Sequence, residues 1–243
     1  MASGPTLEVP APKRAPREGG IFTVAEVRPN DRLAHVEAIV FQSDGNDFAH
    51  TEESRCYAVQ PVADKTFDVT EIIEGLGTPF TIYAGVKCFE APDPDEVERA
   101  RRALETGRER VIEGRLAAWA AGGTTLAPGA TARAAVGRVD QALDDGYVAR
   151  GVILISRFDA ADAGLEYAEG EPLRTKTGTP VIASGRVAPG TVYGLGAVTV
   201  EHGEIVERDV HQVRYNRHWA LVEQPHALIV DAEFRVSAAI TNA

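Results

Sequence analysis

Between residues 93 and 121, apolar positions recur with helical spacing. Val97, Ala100, Leu104, Val111, Leu116 and Trp119 form a stripe of period 3.6, and Ile112 widens it. Arg101, Arg102, Glu105, Arg108, Glu109, Arg110, Glu113 and Arg115 cover the other faces. Asp93 suits the N-cap, Pro94 the first helical position and Glu96 the third, and Gly122-Gly123 ends the run. A helix of this length spans roughly 40 Å at 1.5 Å per residue. Gly107 in its middle costs about 1 kcal/mol relative to Ala and is expected at a bend or a close contact.

Downstream, Thr131 to Asp145 reads as a second helix with Val136, Val139 and Leu143 on one face and Gly146 as its stop. Gly151-Val-Ile-Leu-Ile-Ser is short and wholly apolar, the pattern of a strand buried on both faces. Asp159 to Leu165 reads as a short helix. Val181 to Ser184 and Thr191 to Val200 read as strands joined by Pro/Gly turns, and His202-Gly203 as a turn. Strand-like pieces follow at Glu204 to Tyr215, His218 to Val222, His226 to Asp231 and Phe234 to Ile240.

Upstream of the long helix, residues 21–90 are mixed and strand-rich. Apolar positions cluster at Phe22, Val24 and Val27, then at Val36, Ile39, Val40 and Phe41. A turn is expected at Ser43 to Asp47, with strand pieces at 57–60, 65–70 and 78–85. The apolar content here is low for a self-contained core, so these segments are expected to pack on something outside the subunit. Residues 1–20 carry Pro5, Pro10, Pro12 and Pro16 and read as an extended arm.

The chain of 243 residues is long enough to bury a core without metal or disulfide staples. Cys56 and Cys88 form no disulfide framework and lack metal-ligand spacing, and they read as small buried apolar residues. No run of about 18 apolar residues exists, and the first twenty residues lack a signal peptide's apolar centre, so a cytoplasmic site of synthesis is expected. The net charge of −11 argues against a dedicated nucleic-acid reader. Lys13, Arg14 and Arg17 are the one basic cluster and read as a solvated arm.

Motifs for chemistry are missing or out of context. Ala183-Ser184-Gly185 has no helix after it to make a nucleophile elbow. Gly194-Leu-Gly196 and Gly75-Leu-Gly77 open no helix and read as bulges or turns. Asp144-Asp145 and Asp159/Asp162 sit at helix ends and read as solvated caps. His211 and His218 read as surface or hydrogen-bonded histidines. No catalytic, cofactor or metal residue is assigned.

Four stretches in order carry a resemblance. Phe80-Thr-Ile-Tyr-Ala-Gly-Val-Lys-Cys-Phe leads into the long helix. Leu104-Glu-x-Gly-x-Glu and Val111-Ile-Glu-x-x-Leu lie within it. Gly151-Val-Ile-Leu-Ile-Ser is followed by Leu173-Arg-Thr-x-x-Gly-Thr-Pro-Val. Asn216-Arg-His-Trp-Ala-Leu-Val-Glu-Gln-Pro-His-Ala-Leu-Ile-Val-Asp follows later. Over residues 78–240 this order resembles the tailed-phage major capsid proteins, whose fold is shared with encapsulin shells.

That resemblance implies an α+β subunit with an N-terminal arm (1–20), N-terminal strands and an extended β-hairpin loop (21–80), a peripheral domain with a spine helix (81–123 and 205–243) and a compact axial domain (124–204). It implies self-assembly into the hexamers and pentamers of an icosahedral head enclosing double-stranded DNA, assembly in a bacterial host cytoplasm, and residence in the virion. Partners would be other copies of the chain, scaffolding, portal or decoration proteins, and packaged DNA touched non-specifically, with no membrane. No long scaffolding region precedes the arm, so a separate scaffold or none is expected. Phe67, Ile72, Ile73 and Phe80 are the expected apolar anchors between subunits, and the spine's charges the expected inter-subunit ion pairs. Some shells of this type carry Lys–Asn cross-links. Of the four lysines, Lys13, Lys65, Lys87 and Lys176, only Lys65 falls in the expected loop. An encapsulin-type shell around a cargo enzyme is the nearest rival, followed by a ring-forming tail or connector protein. A small cytoplasmic enzyme is the rival from another class, and would require a pocket with converging polar groups.

Overall fold

The computed structural model describes residues 18–43, 73–89, 95–212, 214 and 217–241. Most of the expected arm, the 44–47 turn, the strand pieces at 57–60 and 65–70, Cys56, Lys65, Phe67, Ile72, Asp93 and Pro94 lie outside those residues.

The long helix, α1, runs Glu96–Ala120, with Asp95 in the cap position and its side chain making no capping bond. The expected start at Asp93 is therefore two residues early. The inward stripe is Ala100, Leu104, Ile112, Leu116 and Ala120, all at most 2 % exposed. Val111 is 44 % exposed and does not belong to it. The inward positions advance by fours, from Ala100 and Leu104 to Ile112, Leu116 and Ala120, so the buried stripe drifts about 40° per step around the helix and by Ile112 has left the side on which Val111 lies. Full burial of Leu104, Ile112 and Leu116 contributes roughly 1.5–3 kcal/mol each. Gly107 makes no close contact among the described residues: a Cβ there would meet none of their atoms outside its own helix backbone within 4 Å.

Below α1 lies a five-stranded sheet. Its axis is β11 (Arg217–Val230), which pairs antiparallel with β4 (Phe80–Phe89) along one edge. Along the other edge lie β10 (Val206–Gln212) and then β9 (Val198–His202), with β1 (Glu26–Pro29) parallel to β9 outside it. The sequence reads β11 as two pieces around Pro225, but it is one strand of 14 residues. The carbonyl of Pro225 accepts from Gly203 N–H at 2.9 Å, so its missing donor falls at the break between β9 and β10, where no ladder bond is needed.

The second five-stranded sheet has the order β5-β12-β8-β6-β7: β5 (Thr124–Thr125), β12 (Arg235–Ala239), β8 (Thr191–Leu195), β6 (Val152–Ser156) and β7 (Val181–Ser184). It is sandwiched. Ile153, Ile155, Val181 and Val192 join the core under α2 (Ala132–Gly146), while Val152, Leu154, Ile182 and Leu195 join the core around α1. That double cover is why β6 is apolar at every position but its last. The strands do not follow the expected boundary at residue 204: β9 belongs to the first sheet and β12 to the second. A short helix, α3 (Arg157–Asp162), starts two residues earlier than expected because Ser156 caps it. Finally β2 (Ile39–Gln42) and β3 (Glu74–Gly77) form a separate antiparallel hairpin stem.

Candidate functional site

Two apolar faces point away from the core. On the first sheet, alternation sends Ile82, Ala220 and Val222 toward α1 and Tyr83, Lys87, Trp219 and Leu221 outward. Tyr83 is 71 % exposed, Val210 53 % and Trp219 41 %. Val210 stands opposite Trp219 in the ladder, and Lys87 Nζ lies 4.8 Å from the centre of the Trp219 ring. Beside them Arg208 pairs with Glu223 at 2.8 Å. On the hairpin stem, Val40 and Leu76 face each other across the ladder at 63 % and 71 % exposure. On the stem's other side the Phe41 ring packs flat on Gly75, where a Cβ would come within 2.1 Å of it. Gly75 and Gly77 are both strand positions, not turns, and Gly75 admits the ring from across the ladder. Gly194, in β8, likewise leaves room for Val139.

Of the expected anchors among the described residues, Ile73 is 37 % exposed. Phe80 instead packs inside the subunit, stacked on His226 with ring centres 6.1 Å apart and with the Arg115 guanidinium 3.9 Å from its centre. Some spine charges are also used internally. Arg101 binds Glu207 of β10 and, at 3.0 Å, Glu98 of its own helix. Arg102 lies 3.5 Å from Glu98. Exposed pairs of this kind contribute about 0–1 kcal/mol each.

Several groups read as surface chemistry are sealed inside. Glu113 is fully buried; it accepts from the Ser184 hydroxyl at 2.6 Å and from Ile21 N–H at 3.3 Å. Ser184 is likewise fully buried and accepts from Arg186 N–H, so it is a ligand of a carboxylate and no substrate reaches it. Asp159 is not a solvated cap either. It is 6 % exposed and takes bonds from the Ser156 hydroxyl and from Gly190 N–H. Arg108 sits on the inward stripe, over the Phe22 ring and bonded to Gln224. Asp231 gathers the hydroxyls of Tyr147 and Ser43 at 2.7 and 3.0 Å, tying the hairpin stem to the turn after β11. Burial raises the Tyr147 phenol to about 12.

Two histidines of β11 face α1 and differ in character. His226 is fully buried, and burial pushes it down to about 4, with Arg108 and His202 nearby acting in the same direction. His218 lies between Glu96 and Asp209, and its pKa is raised, first by the hydrogen bond to Glu96. His211 stands directly opposite it in the ladder. Cys88 is half-buried, not a core residue. Among the described residues, no group of three or more His, Cys, Asp and Glu is placed to hold a metal. A shallow depression of about 460 Å³ beside α2, lined by Leu126, Ala134, Gly137, Arg138 and Asp145 among others, brings together no nucleophile and base. No described helix is long and apolar enough to cross a membrane.

No protein-family model matches the chain, and no curated protein matches it in sequence. Solved structures do match it. The capsid of an empty GTA particle aligns over 98 % of this chain and 95 % of its own subunit, with a TM-score of 0.63 at 12 % identity. The capsid of Ralstonia phage GP4 aligns over 97 % and 95 %, at 0.59 and 9 %. The mature capsid of bacteriophage PhiM1 aligns over 100 % and 93 %, at 0.54 and 8 %. The described residues have the α+β fold of tailed-phage capsid subunits.

Proposed function

We propose that this protein is a structural subunit of an icosahedral phage head, assembling with copies of itself into hexamers and pentamers around double-stranded DNA. The observation that carries the reading is the two-way coverage. The chain and the capsid subunits it resembles account for nearly all of each other. The exposed apolar faces on the first sheet and on the hairpin stem support it, because patches of this kind on a soluble chain mark interaction sites. The unit under α1 serves as the peripheral part and the unit under α2 as the axial part. With a net charge of −11, the wall touches packaged DNA non-specifically and grips it weakly. Scaffolding, portal or decoration proteins are the partners such a head takes, and the virion is its location.

The test is to express the chain alone, separate it by size exclusion and image the large fraction by negative-stain microscopy. Closed shells of uniform diameter support the proposal, and shells that form only when scaffold is co-expressed also do. A stable small oligomer that never closes, with or without scaffold, overturns it.

A further inference from the structure

His218 meets a carboxylate at each ring nitrogen. Nδ1 faces Oε2 of Glu96, in the first turn of α1, and Nε2 lies 2.5 Å from Oδ1 of Asp209, in the middle of β10. A carboxylate only accepts, and a neutral imidazole carries a single N–H. In the neutral form one of the two contacts would set a nitrogen lone pair against a negative oxygen. Only the imidazolium satisfies both, whichever tautomer is chosen.

The two carboxylates belong to different layers. Glu96 is 1 % exposed and enters from the helix, while Asp209 enters from an edge strand. Every residue of β10 is exposed, and among the described residues its ladder partner is β11 alone. Its links to the helix layer are side chains: Asp209 through His218 to Glu96, and Glu207 to Arg101 further along.

We propose that His218 is a proton-dependent clamp that fastens the first turn of α1 to the β10 edge and lets go of that edge when it loses its proton. The groups facing it are Glu96 from α1, Asp209 and His211 from β10, and Cys88, its ladder partner in β4; the His211 ring lies 5.9 Å from its own, centre to centre. Asp95, Glu98 and Arg99 are the other charges of the same helical turn. The direction follows from linkage. The folded protein holds this proton more tightly than the unfolded chain does, so the clamp is fully engaged below pH about 6.5. It is lost as pH rises through the higher folded value. The clamp concerns a single chain and stands whether or not that chain forms shells.

The experiment is hydrogen exchange on the full chain from pH 5.5 to 9, corrected for the intrinsic pH dependence of exchange. Peptides covering 96–102 and 206–212 are compared with the buried strand 152–156. Their protection relative to that strand is expected to fall about tenfold per pH unit above 6.5 and then to level off. His218→Gln is expected to flatten the profile, and His211→Gln to leave it. A flat relative profile in the unaltered chain overturns the proposal, as does an unchanged profile in His218→Gln or its loss in His211→Gln.

Discussion

The Ser184 hydroxyl of β7 donates to the Glu113 carboxylate of α1 over 2.6 Å, across 71 residues of chain, at a point sealed from water. The other oxygen of the same carboxylate takes the N–H of Ile21, so one side chain joins the spine helix, the second sheet and the segment entering the fold. Ser184→Ala leaves a buried carboxylate oxygen short of a donor. It is expected to destabilise the subunit by roughly 1–3 kcal/mol in urea unfolding, while Ser184→Thr costs less if its hydroxyl keeps the bond. Equal stability of the alanine variant and the parent would contradict this arrangement.

Gly107 lies inside α1 where an added methyl meets nothing. Gly107→Ala is expected to stabilise the subunit by about 0.5–1 kcal/mol, since glycine loses more backbone freedom than alanine on becoming helical. A melting temperature that falls would reveal a contact made by this part of the spine.

His226 predicts the acid limb of stability. Its folded value of about 4 lies below the ordinary 6.5, so between those values the unfolded chain takes a proton that the folded chain refuses. Stability is therefore expected to drop as pH falls from 6.5 toward 4. His218 is still taking up its proton in the unfolded chain near pH 6.5 and there opposes the drop, but about a unit lower it is protonated in both states and contributes almost no slope. In His226→Gln the drop between 6.5 and 5 is expected to shrink. The check is a set of urea curves at half-unit steps, and an unchanged slope in the variant would assign the drop to carboxylates.

Trp219 and Tyr83 stand proud of the first sheet, and neither is needed for its core. The double variant Trp219→Ser, Tyr83→Ser is expected to keep the parent's circular dichroism and yield far fewer closed shells, because it removes the largest exposed apolar groups from one face. Shells of normal yield and diameter would move the contact to the hairpin stem, where Val40→Ser with Leu76→Ser is the matching trial.

What was legible in the sequence is what depends on neighbours in the chain. The periods of α1 and α2 and the unbroken apolar run of β6 are local signals, and the order of elements carried the resemblance to capsid subunits. What was not legible depends on partners from far away. Glu113 looks like a surface residue until Ser184 and Ile21 arrive, and Arg108 looks solvated until Gln224 and Phe22 do. Val111 and Ile112 are equally apolar, and only the drift of the buried stripe around the helix separates them. Pro225 argues locally for a strand break, and what cancels it is a gap between two other strands. His218 has only half a local signature, since Asp209 comes from the neighbouring strand but Glu96 from a helix 122 residues earlier in the chain.

β12 lies inside its sheet, between β5 and β8, although it is the latest of the described strands. A ribosome therefore makes every other strand of that sheet before the one that joins β5 to the rest. Until residues 235–239 have emerged from the exit tunnel, the second sheet lacks the strand that joins β5 to β8, whereas every strand of the first sheet and of the hairpin stem has already been made. Synthesis thus completes the strands of the outward apolar faces before it supplies the last strand of the core between the two helices.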